Sequence, residues 1–312
     1  MSLCFRSFNY PSSINCCLNK HATSQGKRSP ALVNFPQAEA CESSVFVNKS
    51  SEDRRIRTPR DNSIGIIGGV SIDSCLDFTK KLVNCKGEDG QESSPPFILC
   101  SDPTLNKKLL FLERSQPSKD EGLLVNDDDK SRIVTNLRCK RAFLEKSGVC
   151  CIAMPCHLLH HWHDEIREGC SVPFLHVGEC VAHELKEAKM RPLEAGSPLR
   201  VGVLATNEVL VGSFYQDKLE NEGFEVVLPD KATMEHTVIP AVEALSRKDL
   251  EGAQNLFRIA LQVLLVRAVN RVVLASDEFR ELLPPGDPLW SKCVDPMEAL
   301  ARSAVEYARS VW

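Results

Sequence analysis

No stretch of this 312-residue chain approaches the ~20 consecutive apolar residues of a membrane-spanning helix. No basic excess is present either. Lys and Arg total 38 against 42 Asp and Glu, a net charge of −4, so no broad positive field speaks for a nucleic-acid partner. The 14 cysteines form no CxxC pair, and HExxH is missing, so no familiar zinc frame exists. GxGxxG is absent, so Gly65, Gly68 and Gly69 serve a tight turn between strand and helix and not a dinucleotide. No apolar core marks the N-terminus as a secretory signal, and scattered cysteines in such a chain are buried thiols.

Acidic residues are wholly missing from positions 1–38, which carry Arg6, Lys20, Lys27 and Arg28 among many Ser and Asn. A basic, Ser-bearing, acid-free leader reads as a transit peptide for the chloroplast, with the mitochondrion as the alternative address. Residues 39–62 are polar and mixed in charge, and read as a disordered linker.

Short apolar runs then alternate with helical periods. The runs are IGIIGG (64–69), PFILCS (96–101), VCCIAM (149–154), VPFLHV (172–177), RVGVLAT (200–206), EVVLP (225–229) and RVVLAS (271–276). Each has the length of a strand buried on both faces of a parallel sheet. Helices are predicted over 131–148, 207–222, 250–269 and 296–311, the last beginning at the Asp295 cap with Pro296 in its first turn. Such alternation implies right-handed βαβ units. The pairing of IGIIGG with RVGVLAT, and of VCCIAMPC with RVVLASDE, hints at duplication. The fold class expected is α/β: two Rossmann-like, three-layer lobes with parallel sheets and a cleft between them. Lobe 1 would run over 63–176, completed by the C-terminal helix 295–312, and lobe 2 over 177–294. Residues 114–130 read as a surface loop with room to act as a flap.

The richest stretch is IAMPCHLLHHWHDE, 152–165. His157 and His161 are spaced i, i+4, and His160 and Asp164 repeat the spacing, which would suit zinc on a helix face. A third ligand and a framing motif are lacking, so no metal is expected. Cys156 follows a strand and Pro155 and precedes a helical sequence. A thiol at a helix N-terminus is activated by unpaired N–H groups, with His157 or His160 as tuning partners. His176 reads as a core or strand-end histidine, Trp162 and Trp290 as packing, and Tyr215 as a core aromatic.

The runs IGIIGG, IAMPCHLLH, VGVLATNEVLVGSFYQDKLENEGFEVVLP and RVVLASDEF together resemble the aspartate/glutamate racemase superfamily, through about residues 63–309. The resemblance implies two lobes with one acid/base cysteine from each, racemising an amino acid without pyridoxal phosphate, metal or other cofactor. One thiolate removes the α-proton and the other thiol returns one on the opposite face. It also implies a small amino acid or carboxylic acid as ligand. A homodimer would suit a spare apolar helix face.

The departures from the family pattern are specific. Pro-Cys-Asn-Thr-x-His becomes Pro155-Cys156-His157-Leu158-Leu159-His160. Leu-Gly-Cys-Thr-Glu becomes Leu274-Ala275-Ser276-Asp277-Glu278, so the second cysteine is a serine. After Thr206 the usual Gly-Thr is replaced by Glu208 and Val209, and a Ser-Asn-Pro pattern followed by arginine becomes Ser101-Asp102-Pro103 with Lys108. The resemblance thus makes Cys156 and Ser276 the catalytic pair and His157, Leu158, Asp277, Asp102, Thr206, Glu208 and Val209 the substrate lining, with His160 in support. A single remaining thiol also suits decarboxylation of a malonate-type acid, or a cleft that only binds.

Overall fold

Two strands with nearly the same signature sit at the centres of two sheets. Ile64–Ile67 (β1) and Arg200–Leu204 (β4) are almost wholly buried. Each carries one glycine where a helix lies close. A Cβ at Gly65 would lie 3.1 Å from Leu144, and one at Gly202 3.4 Å from Leu264.

The computed structural model describes residues 62–69, 71–85, 94–105, 107, 109, 127–193, 196–206, 213–283 and 286–311. They belong to one compact unit, Arg55–Trp312. Phe97–Cys100 (β2) and Cys151–Ala153 (β3) flank β1 in parallel, in the order β2-β1-β3. Glu225–Val227 (β5), Arg271–Leu274 (β6) and Cys293–Val294 (β7) join β4 in the parallel order β5-β4-β6-β7. In both sheets the first strand lies between the second and third. Chain direction therefore reverses beside β1 and beside β4, and each reversal opens a crevice at the carboxyl ends of the strands.

Seven longer helices cover the sheets: Ile72–Asn84 (α1), Asp127–Lys146 (α2), Val177–Glu187 (α3), Ser213–Asn221 (α4), Ile239–Ser246 (α5), Leu250–Leu265 (α6) and Pro296–Ser310 (α7). Ser71 caps α1 by accepting from the N–H groups of Asp73 and Ser74. Asp295 caps α7 and Pro296 follows, as its sequence dictates. The buried residues Leu300, Ala301, Ala304, Val305 and Ala308 follow the 3, 4, 7, 8 spacing of one helical face. That face carries α7 from the end of the second sheet back onto α1, β1 and β3. Alternation along β4 and β6 fills both sides of the second sheet. Val201, Val203 and Val273 face the core shared with the first sheet, while Leu204, Val272 and Leu274 face Phe257, Leu261 and Phe279. No described helix is long and apolar enough to cross a membrane.

The strand expected over 172–177 does not form. Phe174 makes one bridge to Ile152, and the chain then turns into α3, because His176 accepts the Gly178 N–H and caps that helix. Phe174 and Val177, which read as part of a strand, are a bridge residue and the first residue of α3. Helices α3 and α5 were not anticipated, and α1 was anticipated only as an unbounded helix after the Gly69 turn. Residues 1–61, Lys108, Glu208, Val209 and most of 114–130 lie outside the described residues.

Candidate active site

The two crevices meet. At the first, β1 ends in Gly68-Gly69 and β3 runs into Met154-Pro155-Cys156. Gly69 lies so close to Cys156 that a Cβ there would fall 2.1 Å from its Cβ and 2.5 Å from its Sγ. Cys156 is 2% exposed. At the second, Thr206 follows β4 and Ser276 follows β6, and their hydroxyls are 3.0 Å apart. Ser276 also donates to the Glu278 carboxylate, so Thr206 is the donor of the pair. The neighbours of the two catalytic candidates touch across the junction: His157 Nε2 lies 3.7 Å from Asp277 Oδ1. A second link is the Ser74 hydroxyl in the first turn of α1, which donates to Asp277 Oδ2 at 2.9 Å.

His157 is buried and its Nδ1 lies 3.1 Å from the Tyr215 hydroxyl. Burial lowers the pKa of His157 although Asp277 pulls it upward, and burial raises that of Tyr215. A neutral imidazole beside a protonated phenol assigns the hydrogens: Tyr215 donates to Nδ1, and Nε2–H faces Asp277. The sequence left Tyr215 as a core aromatic, and it is fully buried, but its hydroxyl orients a residue of the cleft.

The helix expected after Cys156 is not continuous. Leu158–Trp162 forms a 3-10 turn and His163–Arg167 a five-residue α-helix. A short turn has few aligned peptide dipoles, so helix-terminus activation of the thiol is weaker than the sequence suggested. Nor is this an exposed histidine face. His157, His160 and His163 are buried, while His161 is exposed and points away from them. Among the described residues no group of three or more His, Cys, Asp or Glu side chains is placed to hold a metal ion. Leu158 is packed into the first core. Asp102 caps the turn at 103–105, accepting from the N–H groups of Thr104 (2.9 Å) and Leu105 (3.3 Å), and from Asn136. Burial opposes its ionisation, but these donors and Lys140 outweigh it and lower its pKa.

His160 belongs to a separate buried cluster. Its Nε2–H donates to the Met154 carbonyl at 2.9 Å, holding the strand end that leads to Cys156. Its ring stacks on His163 and meets His176 edge-on. Burial is the leading reason all three resist protonation, His176 down to about 3, helped at His160 and His176 by repulsion from neighbouring histidines. The unfolded pKa is about 6.5, above the folded values, so below that pH the unfolded chain binds more protons. Stability is complete above about 6.5 and falls as pH drops, continuing toward 3 for His176. Each histidine steepens the fall by about 1.4 kcal/mol per pH unit. Urea unfolding at a series of pH values from 7.5 to 5 should show this slope, and a flat profile would contradict it.

The chain is similar to proteins that are already known. The sequence model for Asp/Glu/hydantoin racemases matches residues 67–304. The chain belongs to that family. A broad specificity amino-acid racemase of Bacillus subtilis (strain 168), RacX, is 27% identical over 174 residues, which cover 54% of this chain and 64% of RacX. The chain thus spans just under two thirds of that relative's length. Among solved structures, an aspartate racemase homologue from Pyrococcus horikoshii OT3 superposes with a TM-score of 0.62 at 22% identity, covering 80% of this chain and 99% of that one. An aspartate racemase from Picrophilus torridus gives 0.57 at 20% identity, covering 79% and 94%. At such identities the likeness establishes the shared two-lobe fold. Gly69, Ser74, Tyr215 and Glu278 touch the candidate residues or their neighbours, although the sequence patterns did not place them at the site. Only the IGIIGG glycines and the Tyr in the LAT…Y block carried a signal.

Proposed function

We propose that this protein is a racemase-like isomerase of an amino acid, working without a cofactor, with Cys156 as the acid/base group on one face of the α-carbon. The observation that carries this reading is the meeting of the two crevices, with Cys156 on one side, Ser276 on the other, and the His157–Asp277 contact of 3.7 Å between their neighbours. A serine hydroxyl alone is a feeble base. Here Ser276 donates to Glu278. As Oγ takes the α-proton, the hydroxyl proton passes to the Glu278 carboxylate, and the Cys156 thiol delivers its proton to the opposite face. The product is the other enantiomer, a thiolate and a neutral Glu278 acid, which solvent exchange resets. The basic, acid-free stretch 1–38 supports a plastid address.

A second reading is favoured by the same serine. Ser276 is engaged by both Thr206 and Glu278, which suits a one-sided reaction, decarboxylation of a malonate-type acid with protonation by Cys156 alone. Heavy water separates the two. The full chain should place deuterium at the α-carbon of an amino acid and lose optical activity with it. Carbon dioxide release from substituted malonates without that exchange would favour the second reading. Neither reaction, over a broad panel, would leave a fold that only binds.

A further inference from the structure

Helix α1 presents a polar row to the strand ends of the second sheet. Ser74, Asp77 and Lys81 recur at three- and four-residue spacing, so they share one face of the helix. Each is tied to a segment that follows a strand of that sheet. The Ser74 hydroxyl donates to Asp277 Oδ2 at 2.9 Å. Asp77 Oδ1 lies 2.5 Å from Arg280 Nη2, and Asp77 Oδ2 lies 2.8 Å from Lys81 Nζ. Lys81 in turn donates to Asp295 Oδ2 at 2.6 Å. Arg280, Asp77, Lys81 and Asp295 thus alternate in sign. Asp277 and Arg280 follow β6, in the stretch that carries Ser276 and Glu278, and Asp295 caps α7 after β7.

The N-terminal end of α1 is fixed to the Cys156 side. The helix starts just past Gly68-Gly69. A Cβ at Gly68 would lie 3.2 Å from Cys75 Sγ in α1, and Gly69 presses on Cys156. The apolar residues of α1, Phe78 and Leu82, belong to the first core, whereas Phe279 and Leu282 of the 276–282 stretch belong to the second. The two elements are joined by polar side chains. We infer that Asp77 and Arg280 are positioning residues, which hold the 276–280 segment, and Ser276 with it, in register with Cys156. This deepens the racemase-like reading and rests on it for the reaction. Neither residue moves a proton; each acts through the placement of Ser276 and Glu278. An ion pair this exposed, at 24% for Asp77 and 29% for Arg280, adds little to stability. Alignment is more sensitive, since a misplacement near 1 Å costs on the order of 10²-fold in rate. Loss of the pair is therefore expected to show in turnover and not in folding.

The test is α-deuterium exchange by the full chain, followed by proton NMR in heavy water. Arg280→Met should lower kcat at least about tenfold, toward 10²-fold, and leave KM within about twofold. Its thermal midpoint should stay within about 4 °C of the parent. Arg280→Lys keeps the charge and should recover most of the rate. Asp77→Asn should lose rate as Arg280→Met does, and the double variant should be no worse than Asp77→Asn alone. Lys186→Met, which removes an exposed ion pair to Glu222 between α3 and α4, should exchange like the parent. A second readout needs no turnover: the ring nitrogens of His157, whose Nε2 lies 3.7 Å from Asp277, should shift in Arg280→Met and not in Lys186→Met. If Arg280→Met fails to fold, Arg280→Gln replaces it. Parent kcat in Arg280→Met, a loss confined to KM or to the midpoint, no rescue by Arg280→Lys, or unmoved His157 signals would overturn the inference. A parent chain that exchanges no α-hydrogen would remove the isomerase reading, and the His157 signals would then decide the placement by themselves.

Discussion

Replacing Cys156 by alanine is expected to reduce α-hydrogen exchange by at least about 10²-fold, and toward 10⁴-fold, the range that a positioned acid/base group supplies. The methyl group keeps the packing against Gly69, so the fold should survive. Cys156 is buried just past the end of β3, and alanine keeps its Cβ. A stability change within about 1 kcal/mol is expected. Cys156→Ser should fail nearly as badly, since a hydroxyl of the same shape lacks the acidity of a thiol. Exchange rates by proton NMR in heavy water, with urea unfolding alongside, separate loss of chemistry from loss of fold. A Cys156→Ala protein that exchanges at the parent rate would mean that the proton travels through another group.

Gly69→Ala should be damaging for a different reason. The new methyl would sit 2.1 Å from the Cys156 Cβ and 2.5 Å from its Sγ, far inside contact distance. The obstructing atom is a Cβ tied to the backbone, so no flexible tip can swing aside. Either the ends of β1 and β3 separate or the thiol is displaced. Overpacking of this kind costs about 1–3 kcal/mol. A displacement near 1 Å at the reacting atom costs on the order of 10²-fold in rate. Both losses should appear together in Gly69→Ala, whereas Gly68→Ala meets the Ser101 side chain at 2.9 Å and should be milder. Equal effects of the two substitutions would show that Gly69 has no special relation to Cys156.

Much of this architecture was legible from local pattern. Six of the seven apolar runs that read as strands contain one, and α2, α6 and α7 fall where the helical period placed them. The failures share a cause. VPFLHV looked like a strand because short apolar runs do not encode a period, and the cap at His176 decides where α3 begins. The stretch after Cys156 read as a helix with His157 and His161 on one face. In the structure Met154 O and Phe174 O accept from His160 and His163, and the buried rings turn the segment into a 3-10 corner. Nothing near Lys140 in the chain announces that it ends beside Asp102.

By itself the sequence determined the alternation of strands and helices, the two junctions at Cys156 and Ser276, and the family frame that joins them. These follow from side-chain periodicity and short motifs, which act over a few residues. The tertiary structure alone decided which groups meet: His157 with Asp277 and Tyr215, Ser276 with Glu278 and Thr206, and Gly69 with Cys156. Apart from Ser276 and Glu278, those partners are distant in the chain. Their contact is set by how the sheets pack and by the cost of burying a polar atom unpaired, which no local pattern records.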